Sequence, residues 1–252
     1  TALNCYFGDG TEVGGNDATC FSYAQKAIID ERMGEALIIV IMNSDNYAGT
    51  CYMYYPENTN NDYGSGISIA YFPKGGDASV FTEGVHHEAG GHGFAKLADE
   101  YAYENMGAIP DSEVLRTRGQ QDDWGWRKNV DFTNDLSTIR WSHFLADNRY
   151  IYDGLGAFEG GLTYWSGVWR PTENSIMRYN IGGFNAPSRE AIYYRIHKLA
   201  YGVEWQYNYE EFVTYDAINR KTAASTYDIP YVYDFIPLHP PVVVNKSWRD
   251  VK

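Results

Sequence analysis

The sequence has no apolar run long enough to cross a bilayer. Its longest such run, residues 36–42, contains seven residues, whereas a membrane-spanning helix needs about 20. A segment with the charged start and apolar centre of a secretory signal is not visible either. We therefore expect no insertion into a membrane.

Basic residues are scarce relative to acidic ones. The chain has 20 Lys and Arg against 33 Asp and Glu, which gives a net charge of −13. Nucleic acids and anionic lipid surfaces are bound through basic patches, and the basic clusters here are short, as at Arg116-Thr117-Arg118. The composition therefore argues against nucleic acid as a partner.

Cysteine is also rare. The three cysteines, Cys5, Cys20 and Cys51, all lie in the first fifth of the chain and include no C-x-x-C pair. This spacing argues against a cysteine metal site. An odd number leaves at least one thiol without an internal partner, and the pairing stays open, with Cys5–Cys20 as one option.

Apolar and aromatic residues, in contrast, are abundant. They make up 44% and 16% of the 252 residues, with 23 Tyr, which is enough for one large domain or two small lobes that share a cleft. Apolar periodicity and turn residues predict a mixture of helices and strands. The predicted helices are 17–32, one that begins near Ser79, 138–147 and 188–201, the last capped by Ser188. The predicted strands are 36–42, buried on both faces, and 66–72. Residues 43–61 are predicted to form a long loop or an irregular hairpin, 105–135 to be irregular and 148–187 to be dominated by loops, and the chain is extended beyond Thr222.

The most informative segment is residues 86–101, HHEAGGHGFAKLADEY, which contains three of the six histidines. Zinc peptidases place two imidazoles on one helix face, with a Glu beside the first to activate water. Here His87 and His92 are five residues apart rather than four, so a regular α-helix would direct them about 140° apart. We therefore predict a π-bulge at Gly90-Gly91. Pairing His86 with His92 is less favourable, because residues six apart lie on different faces of a helix and about 9 Å apart along its axis.

A catalytic zinc site needs a third protein ligand and leaves the fourth position for water. Asp99 is the predicted third ligand, and Glu100 remains an alternative. Along a continuous helix, Asp99 would lie about 10 Å from His92. The helix must therefore end near Gly93, and the chain must turn back.

These residues resemble the bacterial IgA-cleaving metallopeptidase family, zinc endopeptidases that are themselves similar to metzincins. The resemblance is carried by His87-Glu88, Gly91-His92 and Leu97–Tyr101, and downstream by Asn174–Tyr179, which is similar to a methionine turn. Further similar segments are Trp141–Leu145, Phe158–Gly161, Gly167–Pro171, Phe184-Asn185 and Pro187–Glu190, so that the match runs from about Ala36 to Tyr201. One departure is the extra residue between the histidines relative to H-E-x-x-H. A second is the position of Asp99, seven residues after His92.

The resemblance implies one Zn²⁺ per chain on His87, His92 and Asp99, with Glu88 as general base. It also implies that Met177 forms an apolar floor under the metal, and that the hydroxyl of Tyr179 helps to bind zinc or the oxyanion. The implied fold is a metzincin-like α/β (α+β) catalytic domain with a central twisted sheet, an active-site helix, a methionine turn and an irregular C-terminal lobe. The expected boundaries are 1–205 for this domain, with lobes of about 1–95 and 96–205, and 206–252 for an extended C-terminal segment.

The expected function is a zinc-dependent endopeptidase that hydrolyses extracellular proteins. The expected substrate is a protein or glycoprotein whose identity stays open, and the expected state is a secreted or cell-surface monomer of a bacterium. Two alternatives remain. One is a different zinc hydrolase on the same scaffold, such as an amidase or a peptidase restricted to glycosylated substrates. The other is a non-catalytic or glycoprotein-binding module on a metallopeptidase scaffold.

Overall fold

Three sheets and eight α-helices organise the described residues, which are 2–57, 61–222 and 235–252 of a computed structural model. The protein is thus of the mixed α/β type, in the α+β class. The N-terminal elements are β1 (Tyr6–Phe7), β2 (Val13–Gly14), α1 (Asp17–Ala24), α2 (Asp30–Met33), β3 (Leu37–Met42), β4 (Thr50–Tyr54), β5 (Ser68–Pro73), α3 (Ala78–Gly84) and a π-helix (Val85–Phe94). The later elements are β6 (Ala102–Ala108), α4 (Asp111–Trp124), α5 (Ser142–Leu145), β7 (Leu155–Gly161), β8 (Thr163–Thr172), α6 (Ile176–Tyr179), α7 (Ala186–Tyr201), α8 (Tyr209–Tyr215) and β9 (Val242–Val244).

The first sheet has the strand order β3-β5-β4-β9. Its central strand, β5, is buried throughout and pairs in parallel with β3 and antiparallel with β4. Strand β4 also pairs in parallel with β9, from the C-terminal part of the chain. The π-helix packs on one face of this sheet, where Ala89 joins a core cluster with Ala70 and Phe72.

Two predictions for this sheet are wrong. Strand β3 is not buried on both faces, because it lies at the sheet edge and leaves Ile39 and Ile41 exposed by 46% and 54%. The region 43–61, predicted to be a long loop or an irregular hairpin, contains β4, which is buried at four of its five residues and pairs with β5 and β9 outside the region. Pairing with β5 outweighs the turn-rich composition on either side of β4.

The second sheet has the order β6-β8-β7, with β7 and β8 forming an antiparallel hairpin. It lies in a region that was predicted to be mostly loop, and that prediction is wrong. The hairpin contains register shifts near glycines, such as Gly161 opposite Tyr164. Because glycine suits β-bulges, a bulged hairpin has the composition of a loop. The predicted irregular region 105–135 is likewise wrong, since it contains the 14-residue helix α4.

The helix predictions hold in part. The predicted helix 17–32 is broken into α1 and α2, and 138–147 contains only the short α5. Helix α7 begins at Ala186, and Asn185, rather than Ser188, caps it by accepting from the Ser188 amide. In the segment 206–252, which was expected to be extended, residues 209–215 form α8, whose Phe212 and Val213 are buried. The prediction for residues 223–234 lies outside the described residues.

Two other expectations concern thiols and membranes. Cys20 is a free thiol with its Sγ 3.3 Å from the Tyr71 hydroxyl, so the Cys5–Cys20 disulfide is not formed. In the part of the chain that the structure describes, every helix is too short or too polar to span a bilayer.

Candidate metal centre

The histidine motif lies on a π-helix that directly continues α3. Its turns are closed by bonds between residues five apart, such as that from the Ala95 amide to the Gly90 carbonyl, with an N–O distance of 3.0 Å. This winding places His87 and His92 on one face, with their Nε2 atoms 3.1 Å apart. The prediction of a local π-bulge thus understates the distortion, which extends over ten residues.

Two glycines in this helix allow close packing on either side. A Cβ on Gly91 would lie 2.8 Å from Met177 Cε, and still closer to its Sδ, while a Cβ on Gly93 would lie 2.5 Å from Leu37 Cδ1. Neither glycine has positive φ. Both positions therefore require glycine because a Cβ would clash with a neighbouring side chain, not because of the backbone conformation. Met177 is fully buried and packs directly against the helix.

Asp99 reaches the two imidazoles because the chain reverses after the helix. The π-helix ends at Phe94, one residue after the predicted end, and Lys96 takes the left-handed conformation with φ of 55°. Asp99 Oδ1 then lies 3.2 Å from the Nε2 atoms of both His87 and His92. The three atoms form the one metal-ligand cluster found among the described residues.

Backbone carbonyls orient both imidazoles. His87 Nδ1 lies 2.9 Å from the Ile176 carbonyl and His92 Nδ1 lies 2.8 Å from the Leu97 carbonyl. Each Nδ1 therefore donates its proton to a carbonyl, and each Nε2 presents a lone pair. Lone pairs on two nitrogens and a carboxylate oxygen within 3.2 Å repel one another unless a cation lies between them.

The electrostatics of Asp99 fit this arrangement. Burial raises the pKa of this carboxyl, and positive charge on the neighbouring imidazoles of His92 and His87 lowers it by more, to about 2. A cation held between the three groups would likewise favour the carboxylate, whose Oδ1 receives no hydrogen bond from the described residues. A buried, unsatisfied anionic oxygen is costly on its own, and a bound metal ion would satisfy it.

Glu88 is the second buried carboxyl of the centre. Both of its oxygens lack a hydrogen-bond partner among the described residues. Burial raises its pKa to about 8, with His87 lowering and Asp99 raising that value. The residue is packed under Gly49, where a Cβ would lie 2.8 Å from Glu88 Oε1. Its electrostatic interaction with His87 and Asp99 shows that the carboxyl is near the metal donors.

Glu100 points away from the imidazoles, so the alternative that it replaces Asp99 finds no support in the geometry. Its carboxylate accepts hydrogen bonds from Asn129 Nδ2 at 2.9 Å, Ser175 Oγ at 2.6 Å and Asn185 Nδ2 at 2.8 and 3.1 Å. Sequence reasoning missed Asn129, Ser175 and Asn185 as supports of the centre. Neither spacing nor periodicity marks them, although Ser175 and Asn185 lie within segments that carry the family resemblance.

The segment Asn174–Tyr179, here called the methionine-turn segment after the motif it resembles, packs against the π-helix through α6. Met177 packs on Gly91, and its carbonyl accepts from the Glu100 amide at 2.8 Å. Tyr179 ends α6, two residues later. Its ring contacts the ring of Phe235, with centroids 5.4 Å apart, and lies under the guanidinium of Arg178. Tyr179 is thus near the centre in the fold, but it is not one of the three converging donors.

Comparisons of the chain with protein-family models and with curated proteins found no match. A functional assignment therefore depends on the geometry and chemistry of this centre.

Proposed function

We propose that the protein is a zinc-dependent endopeptidase of extracellular proteins. The observation that carries this proposal is the convergence of His87 Nε2, His92 Nε2 and Asp99 Oδ1 within 3.2 Å of one another, beside the unsatisfied carboxyl of Glu88. Two imidazoles and one carboxylate suit zinc, and three protein ligands leave a position for water, as catalytic zinc sites require.

The chain's own residues supply the proton transfers. A bound zinc ion would polarise the scissile carbonyl and acidify the attacking water. Glu88 accepts a proton from that water at a carboxylate oxygen and delivers it to the leaving amine nitrogen. Its position in a buried pocket strengthens these electrostatic interactions, because bulk water does not screen them.

Two residues of the methionine-turn segment complete the proposed centre. Met177 gives the imidazoles an apolar support through its contact with Gly91. The hydroxyl of Tyr179 donates to the carbonyl oxygen as negative charge develops on it, which is the role of an oxyanion donor. With the helix-borne histidines and the mixed sheet, this segment supports a metzincin-like catalytic domain.

The substrate we propose is a protein or glycoprotein outside the cell, and the enzyme is a secreted or cell-surface monomer. The net charge of −13 supports a partner other than nucleic acid or an anionic membrane surface. Which protein is cut depends on loops around the cleft rather than on the fold.

The test is digestion of a denatured, unglycosylated protein, with mass spectrometry of the products, by the zinc-loaded wild type and Glu88→Gln. We expect new peptide termini with the wild type and a rate at least about 100-fold lower in the variant, since general acid–base catalysis contributes about 10²–10⁴. Glu83→Gln, five residues earlier, is the matched control and should retain the wild-type rate.

Equal rates in the wild type and Glu88→Gln would contradict the proposed role of Glu88. A folded protein that binds zinc but cuts neither this substrate nor a mucin-type glycoprotein would support the non-catalytic binding module instead.

A further inference from the structure

The candidate centre is closed to solvent. His87, Glu88, His92 and Asp99 are each exposed by no more than 2%. A polypeptide substrate must bring its carbonyl carbon next to the attacking water, so a centre this deeply buried cannot act on a polymer until the residues above it move. Which described residues cover it is therefore a functional question.

Residues 235–244, here called the cover segment, run past the centre and contact it from several sides. At the start of the segment, Phe235 packs edge-on against the ring of Tyr179. At its end, Val242–Val244 form β9 and pair in parallel with β4, from Tyr52 to Tyr54. The segment therefore connects the methionine-turn side of the centre with the sheet side.

Between these ends, three hydrogen bonds hold the backbone of the cover segment. Thr11 Oγ1 donates to the Pro237 carbonyl at 2.9 Å, and the Tyr101 hydroxyl donates to the Leu238 carbonyl at 2.9 Å. The His239 amide donates to the Gly49 carbonyl at 3.1 Å. Two of these partners adjoin the centre, since Gly49 packs on Glu88 and Tyr101 follows Asp99 by two residues, and the third, Thr11, accepts from the Gly49 amide through its carbonyl.

The prolines of the segment line a cavity together with a metal donor, and the middle of the segment is buried. Pro240 and Pro241 line a cavity of about 180 Å³ that is also lined by Asp99. Leu238 is 2% exposed, whereas Ile236, two residues earlier, is 65% exposed. One buried apolar side chain thus anchors the middle of the segment beside the centre.

The segment also has features that allow it to detach. Three of its residues, Pro237, Pro240 and Pro241, have no N–H and cannot donate to a neighbouring strand. Its regular pairing with β4 is confined to β9, beyond the part that borders the centre. A segment held by one anchor and a few exchangeable hydrogen bonds opens more readily than the core.

We propose that the cover segment is a built-in inhibitory segment, which occupies the approach to the centre along Gly49 and Tyr101 and must be displaced before a polypeptide substrate can bind. This inference rests on the proposed function. The folded chain is then a latent form. The fraction of molecules in which the cover segment has moved away limits the rates of hydrolysis and of metal exchange.

The test compares Leu238→Asp, which places a charge at the buried anchor, with Ile236→Asp, which makes the same change at an exposed position of the same segment. Two rates are measured on the full zinc-loaded chain: zinc loss to an excess of chelator, and cleavage of a denatured protein. A covered site reacts in proportion to its open fraction, so we expect both rates to rise at least about 10-fold in Leu238→Asp and to stay within about twofold in Ile236→Asp.

A second variant changes a residue that holds the cover segment from outside it, and it tests the proposal if Leu238→Asp does not fold. Thr11→Val removes the hydrogen bond to the Pro237 carbonyl without changing the cover segment itself. It should also accelerate zinc loss relative to the wild type, with an unchanged circular dichroism spectrum.

The outcomes separate the two proposals. Faster zinc loss in Leu238→Asp without any cleavage would support the cover segment and contradict the endopeptidase assignment. The opposite result is Glu88-dependent cleavage, with zinc loss and cleavage equally fast in the wild type, Leu238→Asp and Thr11→Val. That result would support the endopeptidase and overturn the inhibitory segment.

Discussion

Lys96 is a buried cation whose hydrogen bonds go to neutral oxygens. Its ammonium donates to the Gly93 carbonyl and the Ser68 hydroxyl, next to the helix that carries the centre. Burial lowers its pKa from 10.5 to about 7, and the positive charge of Arg195 contributes in the same direction, while Cys51 and Glu35 oppose it. The folded state therefore binds this proton more weakly than the unfolded chain does.

This shift predicts a pH dependence of stability that Lys96→Met removes. With the folded-state pKa depressed, stability is lost as the pH falls from about 10.5 to about 7 and is constant below that. We expect the free energy of unfolding of the wild type, relative to Lys96→Met, to decrease by about 2–4 kcal/mol over this window. Urea titrations at several pH values measure it, and a pH-independent difference would contradict the buried-cation account.

At the residue scale, the sequence was most informative for the histidine motif. The convergence of His87 and His92, whose Nε2 atoms lie 3.1 Å apart, could be predicted because a Glu-flanked pair of histidines close to the H-E-x-x-H spacing is typical of zinc peptidases. Asn129, Ser175 and Asn185 could not be identified, because Asn and Ser serve many turns and caps, and only the folded chain brings them to Glu100.

The π-helix is the element on which the candidate centre depends. Its five-residue winding brings together two histidines that an α-helix would separate, and Gly91 and Gly93 let Met177 and Leu37 approach its surface. The sequence predicted a local widening at Gly90-Gly91 because the histidine spacing demanded one. It did not predict ten residues of π-helix, since the extent depends on packing against β5 and α6.

Alanine substitution of the two adjacent glycines tests this packing. A Cβ on Gly91 would collide with the buried end of Met177, whereas one on Gly90 would meet Phe184 Cζ at an ordinary 3.4 Å. We expect Gly91→Ala to lower the free energy of unfolding by about 1–3 kcal/mol, as overpacking typically does, and to weaken zinc retention. Gly90→Ala is the matched control and should be neutral or slightly stabilising. Equal effects of the two substitutions in urea unfolding would contradict the close contact.

Other elements were predicted poorly for a shared physical reason. Strand β4 and the hairpin of β7 and β8 have glycine- and polar-rich surroundings, and their stability comes from pairing with distant strands. Local sequence carries little information about such pairing. Helix α7 was predicted well because Pro187 near its start and Gly202 after its end are strong local signals, although the predicted cap, Ser188, is replaced by Asn185.

At the scale of the whole molecule, Glu100 connects segments that are distant in the chain. Its carboxylate bonds Asn129 from the segment after α4, Ser175 next to α6 and Asn185 at the cap of α7. Its backbone amide bonds the Met177 carbonyl. The loop that presents Asp99 is thereby attached to the methionine-turn segment, and the geometry of the centre depends on this network.

Glu100→Gln should therefore act on both stability and metal binding. Replacing a carboxylate oxygen by an NH₂ group leaves at least one donor of the network unsatisfied, at a cost of about 1–3 kcal/mol in the free energy of unfolding. We also expect weaker zinc binding, because Asp99 loses its support. Glu104→Gln, at an exposed position of β6, is the control. Urea unfolding and competition with a zinc chelator measure the two effects, and a neutral Glu100→Gln would show that the network does not support the centre.

A mixture of helices and strands could be predicted from the patterns of apolar residues, but the arrangement of the elements could not. The contact between the C-terminal residues 235–244 and the wall of the centre joins positions such as Leu238 and Tyr101, which are 137 residues apart. Prolines and a high apolar content indicated an extended segment. They did not indicate what it covers.

The central claim is that His87, His92 and Asp99 hold one zinc ion, and its most direct test is the zinc content of the purified, zinc-supplied protein by elemental analysis. The account predicts about one zinc per wild-type chain, because catalytic sites of this kind bind a single ion through three protein ligands. It predicts a sharp loss in Asp99→Ala and full retention in the control Asp9→Ala, which changes an exposed aspartate. A folded wild-type protein without zinc, or Asp99→Ala with undiminished zinc, would contradict it.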